Sequence, residues 1–308
     1  MLFNHRSLAV RLVEYAADEL GRLDTACALA PTSVELALRL VATAGLTEPT
    51  RSSFFALVAA AADPLHDAAL PASLLAWRDQ LAGEERRVRG GALLTAARFA
   101  SLAPQLDDDE YRDQRQRLDA IWREPGSSRS VLERALDSAA WSPAAGVAEA
   151  SATLLLCAGG RTDRVRLLPF ADVIGTTRAD AIAAHRAGDT ESWVALGLHS
   201  LAARARRTRL AALSVLAAPE REERALAALG RAAITARGAL ALLRRRLAST
   251  GPALAEDLGI SRPAASDALE RLVAAGLARE VTGRARDRVF AYEAACAMAE
   301  SLLDPASA

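Results

Sequence analysis

The stretch LGISRPAASDALERLVAAGL, near the C-terminus, constrains the fold more than any other part of the chain. Gly259 ends the helical run PALAEDL, and glycine most cheaply adopts the left-handed conformation that closes a helix. Pro252 opens that run, where a first helical turn tolerates it. Ser261 follows almost at once and can cap a new helix by accepting a backbone hydrogen bond. The new helix carries Ala265, Ala268, Leu269, Leu272 and Val273 on one face and stops at Gly276. Two helices joined by so tight a turn have the grammar of a helix-turn-helix. The preceding run ARGALALLRRRLAST reads as one more helix, ending before Gly251. After the turn, LAREVT and RVFAY can pair as a hairpin around Gly283 to Asp287. Together these features predict a winged helix-turn-helix over residues 236–295, with a small β-hairpin wing and a short tail, 296–308.

The rest of the chain reads as helix, so the predicted fold class is all-α. Alanine, leucine, arginine and glutamate dominate, and these are strong helix formers. Apolar residues recur at helical spacing, as at Leu8, Leu12, Tyr15, Ala16 and Leu20. Breaks fall at Pro31, Pro49, Pro64, Pro71 and around GEERRVRGG, LAPQLDDDE and REPGSSRS. They divide the chain into an N-terminal helical region, 1–105, and a central multi-helix bundle, 106–235. The only strand-like stretches lie near residues 277 to 292.

The 38 cationic side chains are all arginine and balance 38 carboxylates, for a formal net charge of zero. A protein that coats nucleic acid along its whole length is usually basic, so only a local basic patch is expected. Cys27, Cys157 and Cys296 are far apart among apolar neighbours, which predicts free buried thiols rather than disulfides or a zinc site. No apolar stretch reaches bilayer length and no signal peptide is apparent, so a soluble cytoplasmic protein with no membrane partner is expected.

The positions expected to meet duplex DNA are Arg262, Ser266 and Arg271 on the second helix of the turn, and Arg284, Arg286 and Arg288 in the wing. The first group lies where such helices present side chains to base edges. The second suits phosphate or minor-groove contact. Asp267 and Glu270 oppose them on the same helix. Two further clusters, Arg204–Arg206–Arg207–Arg209 and Arg244–Arg245–Arg246, either extend this basic surface or pair internally with Glu220, Glu222 and Glu223.

Among the histidines, His185 and His199 read as ordinary helix residues, and His66, beside Asp63 and Asp67, as part of a solvated loop. Gly159–Gly160–Arg161 reads as a helix stop. No metal or cofactor is expected.

The C-terminal half also resembles Fic-family proteins. GDTESWVALGLHSLAARA carries the family's tryptophan pattern at Trp193, and REVTGRARDRVFAYE is similar to the end of its winged helix. LLPFADV near residue 170 resembles a further segment, and LGRLDTACALAP near residue 25 weakly resembles the family's N-terminal helical region. The main resemblance spans about residues 130–295 and is most specific at the C-terminus. It implies a Fic-like core.

Active members share a loop, HPFxxGNGR, whose histidine is a base towards a hydroxyl and whose glycines and arginine hold phosphates of ATP. In register here stands WSPAAGVAEASATLLL. Ser142 replaces the histidine, Ala150 replaces the arginine, and Gly146 does not restore the glycine pattern. Nor is the family's inhibitory motif visible. The resemblance therefore implies a pseudoenzyme with no catalytic residue.

The reading expected is a homodimeric DNA-binding transcription regulator built on this degenerate core. Two alternatives stand beside it. One is a divergent Fic-type nucleotidyl transferase with a non-standard base. The other is an interaction scaffold whose winged helix docks a protein partner.

Overall fold

A computed structural model describes residues 5–45, 51–70, 130–141, 145–162 and 178–303, with a few isolated positions between 83 and 121. Among these residues the fold is mostly helical, with one small sheet.

Helix α1, His5–Leu29, buries Ala16, Leu20, Leu23 and Cys27, a stripe at steps of four, three and four. It packs along α7, Thr190–Leu216, the longest helix described. Asp189 caps α7 by accepting from the Ser192 amide at 3.2 Å. Glycine and alanine recur on the buried face of α7, at Gly197, Ala202, Ala205 and Ala212. At Gly197 the approach is so close that a Cβ would lie 2.6 Å from a methyl of Leu136.

Leu136 belongs to α4, Val131–Trp141, which packs against α5, Ala145–Ala158. A reciprocal capping box starts α4. The Ser130 amide donates to Glu133 at 2.6 Å, and the Glu133 amide donates to Ser130 Oγ at 3.2 Å. Helix α5 stops directly before Gly159, as the AGGRTDR stretch predicts. Helix α6, Arg178–Arg186, rests on α7 and α4. There His185 is buried within 3.4 Å of Asp137 and stacks near Trp193, whose indole N–H donates to Leu136 O at 3.3 Å.

The C-terminal elements are α8, Pro219–Ala227; α9, Ala233–Arg246; β1, Ala248–Thr250; α10, Gly251–Leu258; α11, Arg262–Ala274; β2, Ala278–Glu280; β3, Val289–Tyr292; and α12, Glu293–Leu303. The turn from α10 to α11 matches its sequence signals. Gly259 sits at φ +63°, and Ser261 Oγ accepts from the Ala264 amide at 3.3 Å. Ala265, Ala268, Leu269 and Leu272 of α11 are buried, while Val273 is only partly so.

The helix expected to run to Thr250 stops earlier. Leu247 turns to φ +72°, and Ala248–Thr250 become a strand that the sequence reading took for helix. The reason lies in pairing. Ala248, Ser249 and Thr250 face Ala291, Phe290 and Val289 in antiparallel register, and Thr250 then caps α10 through the Ala253 amide. Strand β2 pairs with the other edge of β3, giving the order β1-β3-β2.

The N-terminal helices lie directly on this C-terminal unit. Helix α2, Thr32–Gly45, packs on α9 and α12, and α3, Arg51–Ala62, packs on β1 and β3. A single hydrophobic cluster runs from Ala16 to Leu302. Residues 235 and 295, where sections were divided from sequence, fall inside α9 and α12. No described helix is long and apolar enough to cross a membrane. Cys27, Cys157 and Cys296 are buried, as expected.

Candidate nucleic-acid interface

The six residues singled out from sequence sit on α11 and on the loop joining β2 to β3. Arg262 is exposed at the first turn of α11 and has no acidic partner among the described residues. It lines a groove of about 550 Å³ that also holds Asp63, Pro64 and Glu256. Ser266, one turn further, is exposed, but its Oγ lies close to Gly251, only 3.3 Å from where a Cβ would stand. Arg271 is not free: its Nε donates to Asp267 at 2.8 Å, one turn back along the helix. That pair is exposed on both sides, so it stabilises little, yet it occupies the guanidinium.

On the loop, Arg284 and Arg286 are exposed and have no acidic partner among the described residues. Arg288 behaves differently. It pairs with Glu270 of α11 and lies 4.8 Å from the Phe290 ring centroid. The carboxylates that oppose the basic face in sequence therefore quench two of its arginines. Arg262, Arg284 and Arg286 remain as exposed cations without acidic partners among the described residues.

Glu280 and His66 hold the loop at its root and near its far end. The Glu280 carboxylate accepts from the Thr282 amide at 2.7 Å, from the Thr282 hydroxyl and from the Gly283 amide at 3.0 Å. Thr282 Oγ1 in turn accepts from the Val289 amide at 3.3 Å. His66 Nε2 lies 3.2 Å from Asp287 O, 221 residues away in sequence. The sequence reading made His66 part of a solvated loop, and this is overturned. His66 is 4% exposed, in a 3-10 turn, Pro64–Ala69, which Asp63 caps through the Leu65 amide. Together with Ser52, Phe55, Thr282 and Arg284 it lines a groove of about 370 Å³ between α3 and the loop.

Arg279 fixes α3 against the same unit. It donates to Glu293 at 2.8 and 2.6 Å, contacts Glu300 at 2.9 Å and stands over the Phe55 ring at 5.4 Å. Its guanidinium is held firmly protonated, chiefly by the Glu293 hydrogen bonds. Neither the Phe55 contact of Arg279 nor the His66 contact has a local sequence signal, because the partners lie on distant segments.

The two further arginine clusters are largely engaged within the fold. Arg204 donates to Leu302 O and Arg207 to Ser301 O, while Arg209 meets the buried Glu19 at 3.4 Å. Arg246 pairs bidentately with Asp257, and Arg237 meets Glu223 at 2.8 Å. Arg244 approaches the buried Glu222 at 3.9 Å. Most of the two clusters is thus engaged within the fold, but of the partners expected from sequence only Glu222 is met, by Arg244; the others contact Glu19, Asp257 and C-terminal carbonyls.

Ser142 and Pro143, read as the degenerate loop, lie outside the described residues, as does LLPFADV. Gly146 and Ala150 fall within α5. The described residues hold no group of three His, Cys, Asp or Glu side chains with metal-binding geometry. Comparison with protein-family models finds no match for this chain, and comparison with curated proteins finds none.

Proposed function

We propose that the chain is a DNA-binding transcription regulator whose C-terminal unit is a winged helix-turn-helix. The observation that carries this reading is the set Arg262, Arg284 and Arg286. These exposed cations, without acidic partners among the described residues, stand on the first turn of α11 and on a pinned β2–β3 loop. A helix-turn-helix would insert the start of α11 into the major groove and lay the loop on the flanking backbone. The order β1-β3-β2, with α9, α10 and α11 packed around it, supports the winged arrangement. The helices before it supply a Fic-like body without the catalytic loop, and dimer contacts that match paired half-sites.

Fluorescence anisotropy of the full chain on genomic duplex fragments, at low and moderate salt, tests this. Sequence-selective binding that survives moderate salt is expected. Arg262→Ala should compress the ratio of specific to non-specific affinity, by about 1–3 kcal/mol if it reads a base. Replacing both Arg284 and Arg286 with Ala should weaken binding to every sequence and reduce the slope of log K against log salt by about 2. No binding at low salt would overturn the reading.

The pairing of Arg271 with Asp267 and of Arg288 with Glu270 favours a second reading, protein docking. A face carrying fixed charges of both signs suits a complementary protein better than a polyanion. Co-purification of a specific protein, lost on Glu270→Arg, with no DNA affinity, would establish it.

A further inference from the structure

On α9, away from the α11 face, Arg244 and Arg245 line a groove of about 400 Å³ with Leu29, Thr32, Leu216 and Ala241. The groove lies where the α1–α2 turn meets the α7–α8 turn and the last turns of α9. Among the described residues no acidic side chain lines it. Arg245 is exposed and has no acidic partner among the described residues.

Arg244 stands near two carboxylates, and both are already shared: the exposed Glu223 pairs with Arg237 at 2.8 Å, and the buried Glu222 lies 3.9 Å from Arg244. Glu222 is 3% exposed, and its Oε1 accepts from the Tyr292 hydroxyl. Its Oε2, 3.9 Å from Arg244, has no hydrogen-bond partner among the described residues. The buried carboxylate thus attracts Arg244 without saturating its five N–H donors. The opposite wall is apolar, and Leu29 stands at its rim, 69% exposed.

Two adjacent guanidiniums facing an apolar wall suit a small organic anion. Their forks favour a dianionic phosphate over a carboxylate, because three terminal oxygens can be divided between two guanidiniums while a carboxylate's two serve one fork. We propose that this groove binds a phosphate monoester carrying a small apolar group. The site shares no residue with the α11 face or its loop, so it stands or falls independently of DNA binding.

Phenyl phosphate is the probe, titrated into the full chain by calorimetry beside inorganic phosphate and benzyl alcohol. One site is expected, binding phenyl phosphate about tenfold tighter than inorganic phosphate and benzyl alcohol not measurably. Arg245→Gln, at an exposed position, should weaken phenyl phosphate about tenfold or more while leaving the thermal melt unchanged. Leu29→Ser should remove the preference for the phenyl ester and leave inorganic phosphate binding as it was. No phenyl phosphate binding at millimolar concentration would overturn the proposal. So would affinity that Arg245→Gln does not change, or equal affinity for benzyl alcohol.

Discussion

At the scale of single residues, burial sets the chemistry of the two thiols whose shifts are clear. Desolvation pushes Cys27 and Cys296 from near 9 up to about 12, with the nearby Glu35 adding to the effect at Cys27. The unfolded chain releases these protons near pH 9, while the native chain holds them to about 12. The unfolded state therefore gains as pH rises, and stability falls from about pH 9 upward. Each thiol contributes at most about 1.4 kcal/mol per pH unit in that window. Urea denaturation at pH 8, 9.5 and 10.5 measures it. Cys296→Ala should show a shallower decline than the parent chain, and parallel declines would contradict the assignment. That these cysteines are inert and buried was readable from their apolar neighbours. The His66–Asp287 and Phe55–Arg279 contacts were not, because each joins segments far apart in the chain.

Individual elements differ in how far their own sequence specifies them. The turn between α10 and α11 is local: Gly259 supplies a positive φ and Ser261 supplies a cap, so both ends are visible in a few letters. Gly259→Ala forces a Cβ into the left-handed region, at a cost of about 1–2 kcal/mol, although nothing lies within 4 Å to clash with it. Asn at the same position should cost less, because its side chain tolerates that region. Guanidinium denaturation of the two variants gives the order directly, and equal stabilities would show that the turn is not held by this residue. Strand β1 shows the opposite behaviour. Of Ala248, Ser249 and Thr250 only the last has a strand preference, and their conformation is set by β3, which arrives some forty residues later. A three-residue strand between two helices reads as the frayed end of the first.

Across the whole molecule, sections that look separate in sequence share one core. Helix α2 covers α9 and α12, and α3 covers β1 and β3. A reading by composition divides the chain at its prolines and cannot see that these faces meet. Residues 230–303 expressed alone would leave those apolar faces bare and lose the Phe55 contact of Arg279. Such a fragment should melt without cooperativity or self-associate, as followed by circular dichroism and sedimentation. A sharp monomeric melt near that of the full chain would show the unit to be autonomous. The same architecture limits what any binding at the α11 face can do, since a shift of the sheet must be felt by α3 and, through it, by the 3-10 turn carrying His66.

Helix α1 finds its main partner in α7, which begins about 160 residues after α1 ends. During synthesis α1 must wait for that partner on the order of 10–30 s at usual rates of chain growth. Its stripe of Ala16, Leu20, Leu23 and Cys27 stays without its final cover for that interval. A nascent chain stalled before α7 would present that stripe to whatever shields apolar surface in the cell.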